Sequence, residues 1–344
     1  MFTRAVKSAN ERQVIQVLRQ GRVVTKQELA EACGLSFPTA GKLVDELVEQ
    51  GVVLEAGLET GAGGRRPMRY RFNEASAYAL TLFFEDGTLC WAVADALGET
   101  VCSGSCGPEE GGYVSTILAV TERLRRAYPA LAALAVGVPG GVADGRVLYI
   151  DRYDELAGRA LRAELEEVCG LPTAVENNMR AAVYGMAARR GWLDRESVVC
   201  LHLTGNGPGC GVLVHGKPLS GFAGLVGEVG YLPGQGEETM QQAALRGLTG
   251  VDPVDYFARL AASACVFLNP EDLVVYETPY LQSGGQLEQA CGRYLPAQAV
   301  PRVHISREYR QDYLAGLTRL AMDLLYPGGG LRETQERRRG NAQL

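Results

Sequence analysis

Residues 25–51 constrain the fold of this chain most narrowly, because helix start, turn and stop signals fall within one short stretch. Thr25–Glu28 is a capping-box pattern, which predicts the start of a helix. Gly34–Ser36 then makes a short turn whose serine can cap the next helix, and Pro38 falls in the first turn of that helix, where its missing N–H costs nothing. Apolar residues with helical spacing follow up to Gly51: Ala40, Leu43, Val44, Leu47 and Val48. Two helices joined by a three-residue turn form a helix-turn-helix.

The flanking residues extend this motif to a winged helix-turn-helix over residues 1–72. Ser8–Glu11 is another capping-box pattern and predicts that a first helix starts there. VVLEAG (52–57) and the alternating MRYRF (68–72) are predicted as two strands. The tip between them, GAGGRR (61–66), is glycine-rich and basic, as expected of a wing.

The winged arrangement predicts a double-stranded DNA operator as partner. The helix over 37–50 would enter the major groove with Ser36, Phe37, Thr39 and Lys42 facing the DNA. Arg65 and Arg66 at the wing tip could reach phosphates or a narrow minor groove. Taken alone, the capping boxes are equally compatible with a helical bundle that binds protein. The order of three helices, a short turn and a basic wing favours DNA binding.

The distribution of charge agrees with a nucleic-acid module on an acidic body. Residues 1–72 hold eleven Lys and Arg against eight Asp and Glu, a net charge of +3. The whole chain has a formal net charge of −6, so the remainder carries −9. We therefore expect the contact with DNA to be confined to the N-terminal segment.

Several protein classes are disfavoured by the cysteines, histidines and apolar runs. Nine cysteines with no C-x-x-C pattern disfavour a disulfide scaffold and a cysteine-built zinc site. The three histidines, His202, His215 and His304, have no second ligand at metal spacing, so no metal is predicted. No apolar run reaches about 18 residues and the N-terminus has no apolar signal region, so a cytoplasmic protein without a membrane span is expected.

After a polar connector (73–78), the pattern over 79–326 alternates strands and helices, which predicts an α/β fold with a mixed sheet. Two apolar runs flank Asp86-Gly87, a strong hairpin signal. Turns are predicted at PGG (139–141) and over the glycines of 205–211. Helices are predicted at 113–127, 155–169, 178–190 and 310–325, with a mostly helical stretch at 238–268. Strands are predicted at 133–138, 173–177, 197–204 and 273–277. Two such halves would face each other across a cleft, and the polar tail 327–344 is predicted to be disordered.

Six segments resemble, in order, those of ROK-family transcriptional regulators: LAEACGLSFPTAGKLVDELVEQGVV with GAGGRRP, AVGVPGGVADGRV, LPTAVENNMRAAVYG, LTGNGPGCGVLVHGKPLSG, GFAGLVGEVGYLPG and FLNPEDLVVY. The family includes sugar kinases and sugar-responsive repressors. The resemblance implies a winged helix followed by a two-lobed, actin-like (ribonuclease H-like) ATPase fold. The body would then serve as the effector-sensing and dimerisation unit. Because one recognition helix covers few base pairs, we expect a homodimer or a dimer of dimers.

The chain departs from the kinases of this family at each chemical position. Their phosphate turn, Asp-x-Gly-Gly-Thr, aligns with Phe83–Gly87, where an aromatic replaces the acid and two carboxylates would repel a triphosphate. Their catalytic Asp aligns with Asn178, and an amide cannot accept a proton as a carboxylate does. Their zinc-binding His aligns with Tyr231, and LPGQGEETMQQA lacks their cysteines. We therefore predict no catalytic residue, no cofactor, no metal and no enzyme activity.

A sugar or sugar phosphate is the expected effector. By resemblance, Asn177 and Glu228 match positions that hydrogen-bond sugar hydroxyls, and Gly140 matches a backbone contact. Asn178 and Tyr231 are replacements that still donate or accept hydrogen bonds. The competing interpretation is that Asn177 only caps the helix from 178 and that Glu228 is solvated or paired.

The prediction is thus a DNA-binding transcriptional repressor with a catalytically inactive sugar-kinase-like sensor. One alternative is a carbohydrate kinase with an altered active site. Another is a scaffold that binds protein and no small molecule, with Phe83 and Phe84 filling the nucleotide side of its cleft.

Overall fold

The computed structural model describes residues 2–58, 66–85, 87–150 and 152–326, and the side chains from residue 9 onward. At the N-terminus three helices pack with a three-stranded antiparallel sheet of order β1-β3-β2. The helices are α1 (Phe2–Leu18), α2 (Lys26–Cys33) and α3 (Phe37–Glu49), and the strands are β1 (Val24–Thr25), β2 (Val53–Leu58) and β3 (Met68–Phe72). The predicted winged helix-turn-helix is confirmed.

The capping signals around the turn behave as the sequence indicates. The Thr25 hydroxyl accepts the Glu28 N–H, while the Glu28 carboxylate accepts the Thr25 N–H at 2.7 Å. Gly34 closes α2 in the left-handed conformation (φ +62°), and Ser36 caps α3. The Ser8 prediction is wrong: α1 begins at Phe2, because residues 2–7 contain no helix breaker and the pattern lies inside a longer helix.

The first lobe of the body is a five-stranded sheet of order β10-β7-β4-β5-β6. An antiparallel meander supplies three strands, and two parallel strands follow on its other side. They are β4 (Tyr78–Glu85), β5 (Thr88–Asp95), β6 (Thr100–Cys106), β7 (Leu131–Val138) and β10 (Thr173–Asn177). Helices α4 (Gly112–Ala127) and α5 (Leu161–Cys169) cover one face, and the hairpin β8 (Gly140–Ala143) and β9 (Arg146–Ile150) packs into the same core.

The second lobe repeats this plan with strand order β13-β12-β11-β14-β15. Its strands are β11 (Ser197–Thr204), β12 (Gly207–Val214), β13 (Lys217–Pro218), β14 (Asp272–Tyr276) and β15 (Arg302–Ser306). One face is covered by α7 (Met240–Leu245), α8 (Pro253–Leu268) and α9 (Gly284–Cys291). Two lobes with the same strand order confirm the prediction of two α/β halves.

Helices α6 (Asn178–Arg190) and α10 (Tyr309–Leu325) lie between the two sheets and share one core with both. They cross closely at Gly185 and Gly316, since a Cβ at either glycine would clash with the backbone of the other helix. The Arg189 guanidinium on α6 also pairs with the buried Asp312 carboxylate on α10. The two lobes therefore meet across a closely packed pair of helices.

Some predicted boundaries are corrected by the structure. The predicted helix over 155–169 begins only at Leu161, after a separate single turn at Asp154–Leu156. Gly140 and Gly141 belong to β8 and not to a loop. The sequence interpretation did not identify β6, β15, α9 or the β8–β9 hairpin. Arg65, Asp86 and the tail 327–344 lie outside the described residues.

Among residues 2–326, apart from the three gaps, no helix has both the length and the apolar character that spanning a membrane requires. All nine cysteines are free thiols, and most of them are buried.

Candidate DNA-binding surface and effector cleft

The first two turns of α3 form an exposed tip made of Ser36, Phe37, Thr39 and Lys42. The Phe37 side chain is 52% exposed although it is a large aromatic. The Ser36 and Thr39 hydroxyls are 2.8 Å apart and hydrogen-bond to each other. The structure thus brings together an aromatic ring, two hydroxyls and an ammonium group at the end of the helix that follows the turn.

The second half of α3 has the opposite charge character. Asp45, Glu46 and Glu49 lie there, and Asp45 accepts a hydrogen bond from the Lys26 ammonium at 2.5 Å. Carboxylates repel phosphate, so an anionic partner of this helix would be favoured only at its first two turns.

The wing contributes one described basic side chain that is exposed near its tip, Arg66. Arg69 instead donates to the Val23 carbonyl at 2.5 Å, and Arg71 pairs with Glu74 at 2.8 Å. Arg69 thus joins β3 to the residue before β1, and Arg71 pairs locally with the connector, whereas Arg66 faces solvent.

Phe83, which aligns with the phosphate turn of the kinases in the family resemblance, lies in a packed cluster of side chains. Phe83 is 3% exposed and its ring lies edge-on to Tyr313, with centroids 5.2 Å apart. Arg310 pairs with the Glu85 carboxylate at 3.1 Å and lies over the Phe83 ring. Phe83 and Tyr313 thus pack together beside an arginine that is already paired with a carboxylate.

The position of the kinase base is occupied by a neutral, hydrogen-bonded group. Asn178 donates from Nδ2 to the Tyr309 hydroxyl at 3.0 Å. The Tyr309 ring packs on His202, with centroids 4.0 Å apart. Burial lowers the pKa of His202 to about 4, so the imidazole is neutral near pH 7. No ionised base stands in this cluster.

Asn177 acts as a structural cap in the described conformation. Its Oδ1 accepts the N–H groups of Met179 and Arg180, at 2.8 and 3.1 Å, and its Nδ2 donates to the Gly140 carbonyl at 2.9 Å. These bonds join the start of α6 to β8. One amide hydrogen of Asn177 is left over from these three bonds, so capping and a ligand contact are compatible.

Glu228 and Tyr231 lie on the other side of the cleft, near Tyr149 of β9. The Tyr231 side chain is 60% exposed and its ring is edge-on to that of Tyr149, with centroids 6.4 Å apart. Burial raises the pKa of Tyr149, and the nearby Glu228 carboxylate raises it further. Tyrosine, carboxylate and amide groups are suited to hydrogen-bonding hydroxyls.

The zinc site that the family resemblance implies does not fit these residues. Tyr231 stands in the place of its histidine. In the described ranges, no three His, Cys, Asp or Glu side chains come together in a way that could hold a metal ion.

The glycines of 205–211 serve helix packing. The turn itself is only Gly205-Asn206, and Gly207 already pairs with Thr204 in β12. A Cβ at Gly209 would lie 2.7 Å from the Met179 side chain, and one at Gly211 would meet the Met179 carbonyl. The predicted turn over 205–211 is therefore corrected to two residues, and the later glycines let α6 pack onto the strand.

Arg180 is a residue that sequence reasoning missed. Its side chain is 2% exposed, and its guanidinium hydrogen-bonds the Glu176 carboxylate at 2.6 Å and the Val142 and Gly224 carbonyls. The signal was a single charge inside the otherwise apolar helix segment MRAAVYGMA. A charge in that position requires internal partners.

The fold and the site together define a two-lobed, actin-like protein with an N-terminal winged helix. A model of the ROK family matches residues 108–245, and a winged helix-turn-helix DNA-binding model matches residues 7–53. The chain thus carries a ROK family domain behind an N-terminal winged helix-turn-helix.

Curated relatives include the xylose repressor of Caldicellulosiruptor bescii, 22% identical over 236 residues, which cover 66% of this chain and 59% of that protein. The xylose repressor of Bacillus subtilis is 21% identical over 234 residues, covering 66% and 61%. The chain therefore matches about three fifths of the length of these relatives.

Among solved structures, a ROK family transcriptional regulator described as a homolog of the E. coli MLC protein aligns with a TM-score of 0.69. It is 20% identical, and the alignment covers 95% of this chain and 98% of that one. A ROK hexokinase from Thermus thermophilus aligns over 73% of this chain and all of its own, with 21% identity and a TM-score of 0.58. At these identities the likeness establishes the fold.

Proposed function

We propose that this protein is a DNA-binding transcriptional repressor whose ROK domain senses a small sugar and has lost kinase chemistry. The observation that carries the proposal is the pairing of an exposed, DNA-suited tip on α3 with a cleft whose phosphate side is filled by Phe83 and Tyr313. The relatives named xylose repressors support the same function.

DNA recognition in this proposal uses the tip of α3 and the wing. One such helix covers few base pairs, so two copies in a homodimer, or a dimer of dimers, would read two half-sites of an operator. Lys42 and Arg66 would contact phosphates, while Phe37 and Thr39 present an aromatic edge and a methyl group to base edges.

The sugar would lie between the lobes against Gly140, Asn177, Asn178, Glu228 and Tyr231. Asn178 and Tyr231 take the places of a catalytic carboxylate and a metal-binding histidine, so hydroxyl binding is retained without a base. Bound sugar would change how the lobes meet at α6 and α10, and so alter the presentation of the two winged helices.

The test begins with duplexes selected by the protein from a randomised DNA library. Lys42→Ala and Arg66→Ala should each weaken binding severalfold and reduce the dependence of log K on log salt by about one unit, because each removes one phosphate contact. Fluorescence anisotropy at several salt concentrations measures both quantities. Lys217→Ala is the matched control, since Lys217 is an exposed lysine on β13 of the second lobe.

Failure to select any duplex, or equal losses in all three variants, would contradict the DNA-binding proposal. The same titrations repeated with a panel of sugars and sugar phosphates test the sensor. At least one sugar should lower DNA affinity while ATP does not, and a response to ATP alone would favour the kinase alternative.

A further inference from the structure

Arg180 lies fully inside the protein, at the junction of three segments that come from both lobes. Glu176, its carboxylate partner, is on β10, and the Nε–Oε1 distance is 2.6 Å. Nη2 donates to the Val142 carbonyl on β8 at 2.6 Å, and Nη1 donates to the Gly224 carbonyl at 3.2 Å. Every nitrogen of the guanidinium therefore has an acceptor, as a buried cation requires.

The two carbonyls belong to opposite sides of the cleft. Val142 is part of the first-lobe core, whereas Gly224 lies in the loop 219–231, whose Val226 and Val229 pack against the second-lobe core. The two backbones touch directly, since a Cβ at Gly224 would be 2.5 Å from the Val142 oxygen. Gly224 also has φ +66°, so only glycine meets both conditions easily.

Before Glu228, two further backbone hydrogen bonds hold the loop 219–231: the Leu219 N–H donates to the Val212 carbonyl of β12, and the Val226 N–H donates to the Ser220 carbonyl within the loop. Phe222 and Leu225 are exposed, with Phe222 fully in solvent. The next backbone anchor is the Gly227 carbonyl, which accepts the Cys210 N–H of β12 at 3.0 Å. The hydrogen bonds to the Gly224 and Gly227 carbonyls thus fix the backbone four residues and one residue before Glu228.

We propose that Arg180 is the positioning residue for this loop: it fixes the loop 219–231 across the cleft and holds Glu228 in place for the effector. The role for the effector rests on the function proposed above, whereas the fixing of the loop is a property of the chain itself. The hydrogen bonds of this buried arginine join the loop to the first lobe, in a cleft whose residues do not fit zinc.

Hydrogen–deuterium exchange of the whole protein tests the inference without any ligand. In Arg180→Met, peptides from 219–231 should exchange about tenfold faster or more, because the loop loses a charge-assisted bond to its carbonyl. Peptides from α4 should keep their wild-type rate. Arg180→Lys retains the charge but reaches fewer acceptors, so the loop should exchange at a rate between those of the wild type and Arg180→Met. This variant also provides the test if Arg180→Met fails to fold.

Arg189→Met is the matched control, because Arg189 is also on α6 but pairs with Asp312 and Glu308 of the other central helix. It should lower global stability without selectively loosening the loop 219–231. Gly224→Ala disturbs the same junction from the loop side. In the double variant with Arg180→Lys, the increase in loop exchange should therefore be smaller than the sum of the increases in the two single variants, counted as free energies.

Wild-type exchange in the loop of Arg180→Lys or Arg180→Met would overturn the inference. So would equal loosening in Arg189→Met, or faster loop exchange of the wild type on adding EDTA. None of these outcomes depends on DNA or sugar binding, so a failure here is distinct from a failure of the repressor proposal.

Discussion

At the scale of single residues, Asn178, Tyr309 and His202 form a stack of neutral groups. Asn178 is bonded to Tyr309, and Tyr309 packs on His202, whose pKa is lowered to about 4 by burial. The Nδ1 atom of His202 is buried and has no hydrogen-bond partner among the described residues. A proton on this ring would therefore be costly in the folded state.

His202 predicts a specific loss of stability in mild acid. An unfolded histidine takes up a proton near pH 6.5, whereas the folded ring resists protonation until about pH 4. The unfolded state binds more protons in this window, so stability falls as the pH falls from about 6.5 to about 4. His202→Phe keeps a ring against Tyr309 and removes the titration.

Thermal unfolding of the wild type and of His202→Phe across pH 4 to 7.5 measures the difference. The variant should lose less stability towards the acid end than the wild type. If the unfolding temperatures of the two proteins changed with pH in parallel, His202 would be protonated as readily in the folded protein as in the unfolded chain.

At the scale of elements, the crossing of α6 and α10 is one contact that joins the lobes. Gly185 and Gly316 allow the helix backbones to meet, and the Tyr184 hydroxyl bonds Asp323 at 2.8 Å across the same interface. Glycine is unfavourable in a helix interior by about 1 kcal/mol relative to alanine, so its presence here reflects the close approach.

Gly316→Ala should destabilise the protein by about 1–3 kcal/mol, because its methyl group would clash with the Ala181 carbonyl. Urea unfolding measures this change. Gly285→Ala is the matched control in α9, where a Cβ meets nothing within 4 Å, and it should be neutral or slightly stabilising. If both substitutions behave alike, helix propensity and not packing decides at Gly316.

Elements with their own end signals could be predicted from the sequence. Helix α6 runs from the Asn177 cap to Gly191, and α3 from the Ser36 cap to the residue before Gln50, because local hydrogen bonds and left-handed glycines set these ends. The start of α1 could not be predicted, since Ser8 forms the same local pattern inside a helix. Local patterns do not reveal whether a helix continues.

Features of the site that depend on contacts between residues far apart in the chain could not be predicted from the sequence. Gly209 and Gly211 of β12 resemble part of a phosphate turn, but a side chain at either position would clash with Met179 on α6. Arg180 bonds residues 38 and 44 positions away, which no spacing rule connects. The residues of the cleft could therefore be named from the sequence, whereas what holds them in place required the fold.

At the scale of the whole molecule, the proposed loss of kinase chemistry rests on several separate positions. Restoring one residue should therefore not restore activity. Asn178→Asp returns the carboxylate of a base, but Phe83 still fills the phosphate side and Glu85 remains beside it.

We expect Asn178→Asp to release no ADP from ATP in the presence of any sugar of the panel. A coupled ADP assay measures this, and unchanged affinity for the selected duplex shows that the variant is folded. Measurable sugar-dependent turnover would instead support an altered carbohydrate kinase.

The route of the chain has a consequence for biosynthesis. Lobe two is contiguous from β11 to β15, but α10, which covers a face of lobe one, comes after it. Directly after α10, the Tyr326 ring packs on Phe72 and under the Arg19 guanidinium of the winged helix. On the ribosome the winged helix and the second lobe can each close a core of their own, whereas the central core shared by both lobes waits for α10 to emerge. The contact of Tyr326 with the winged helix is thus made only once the last helix has been translated.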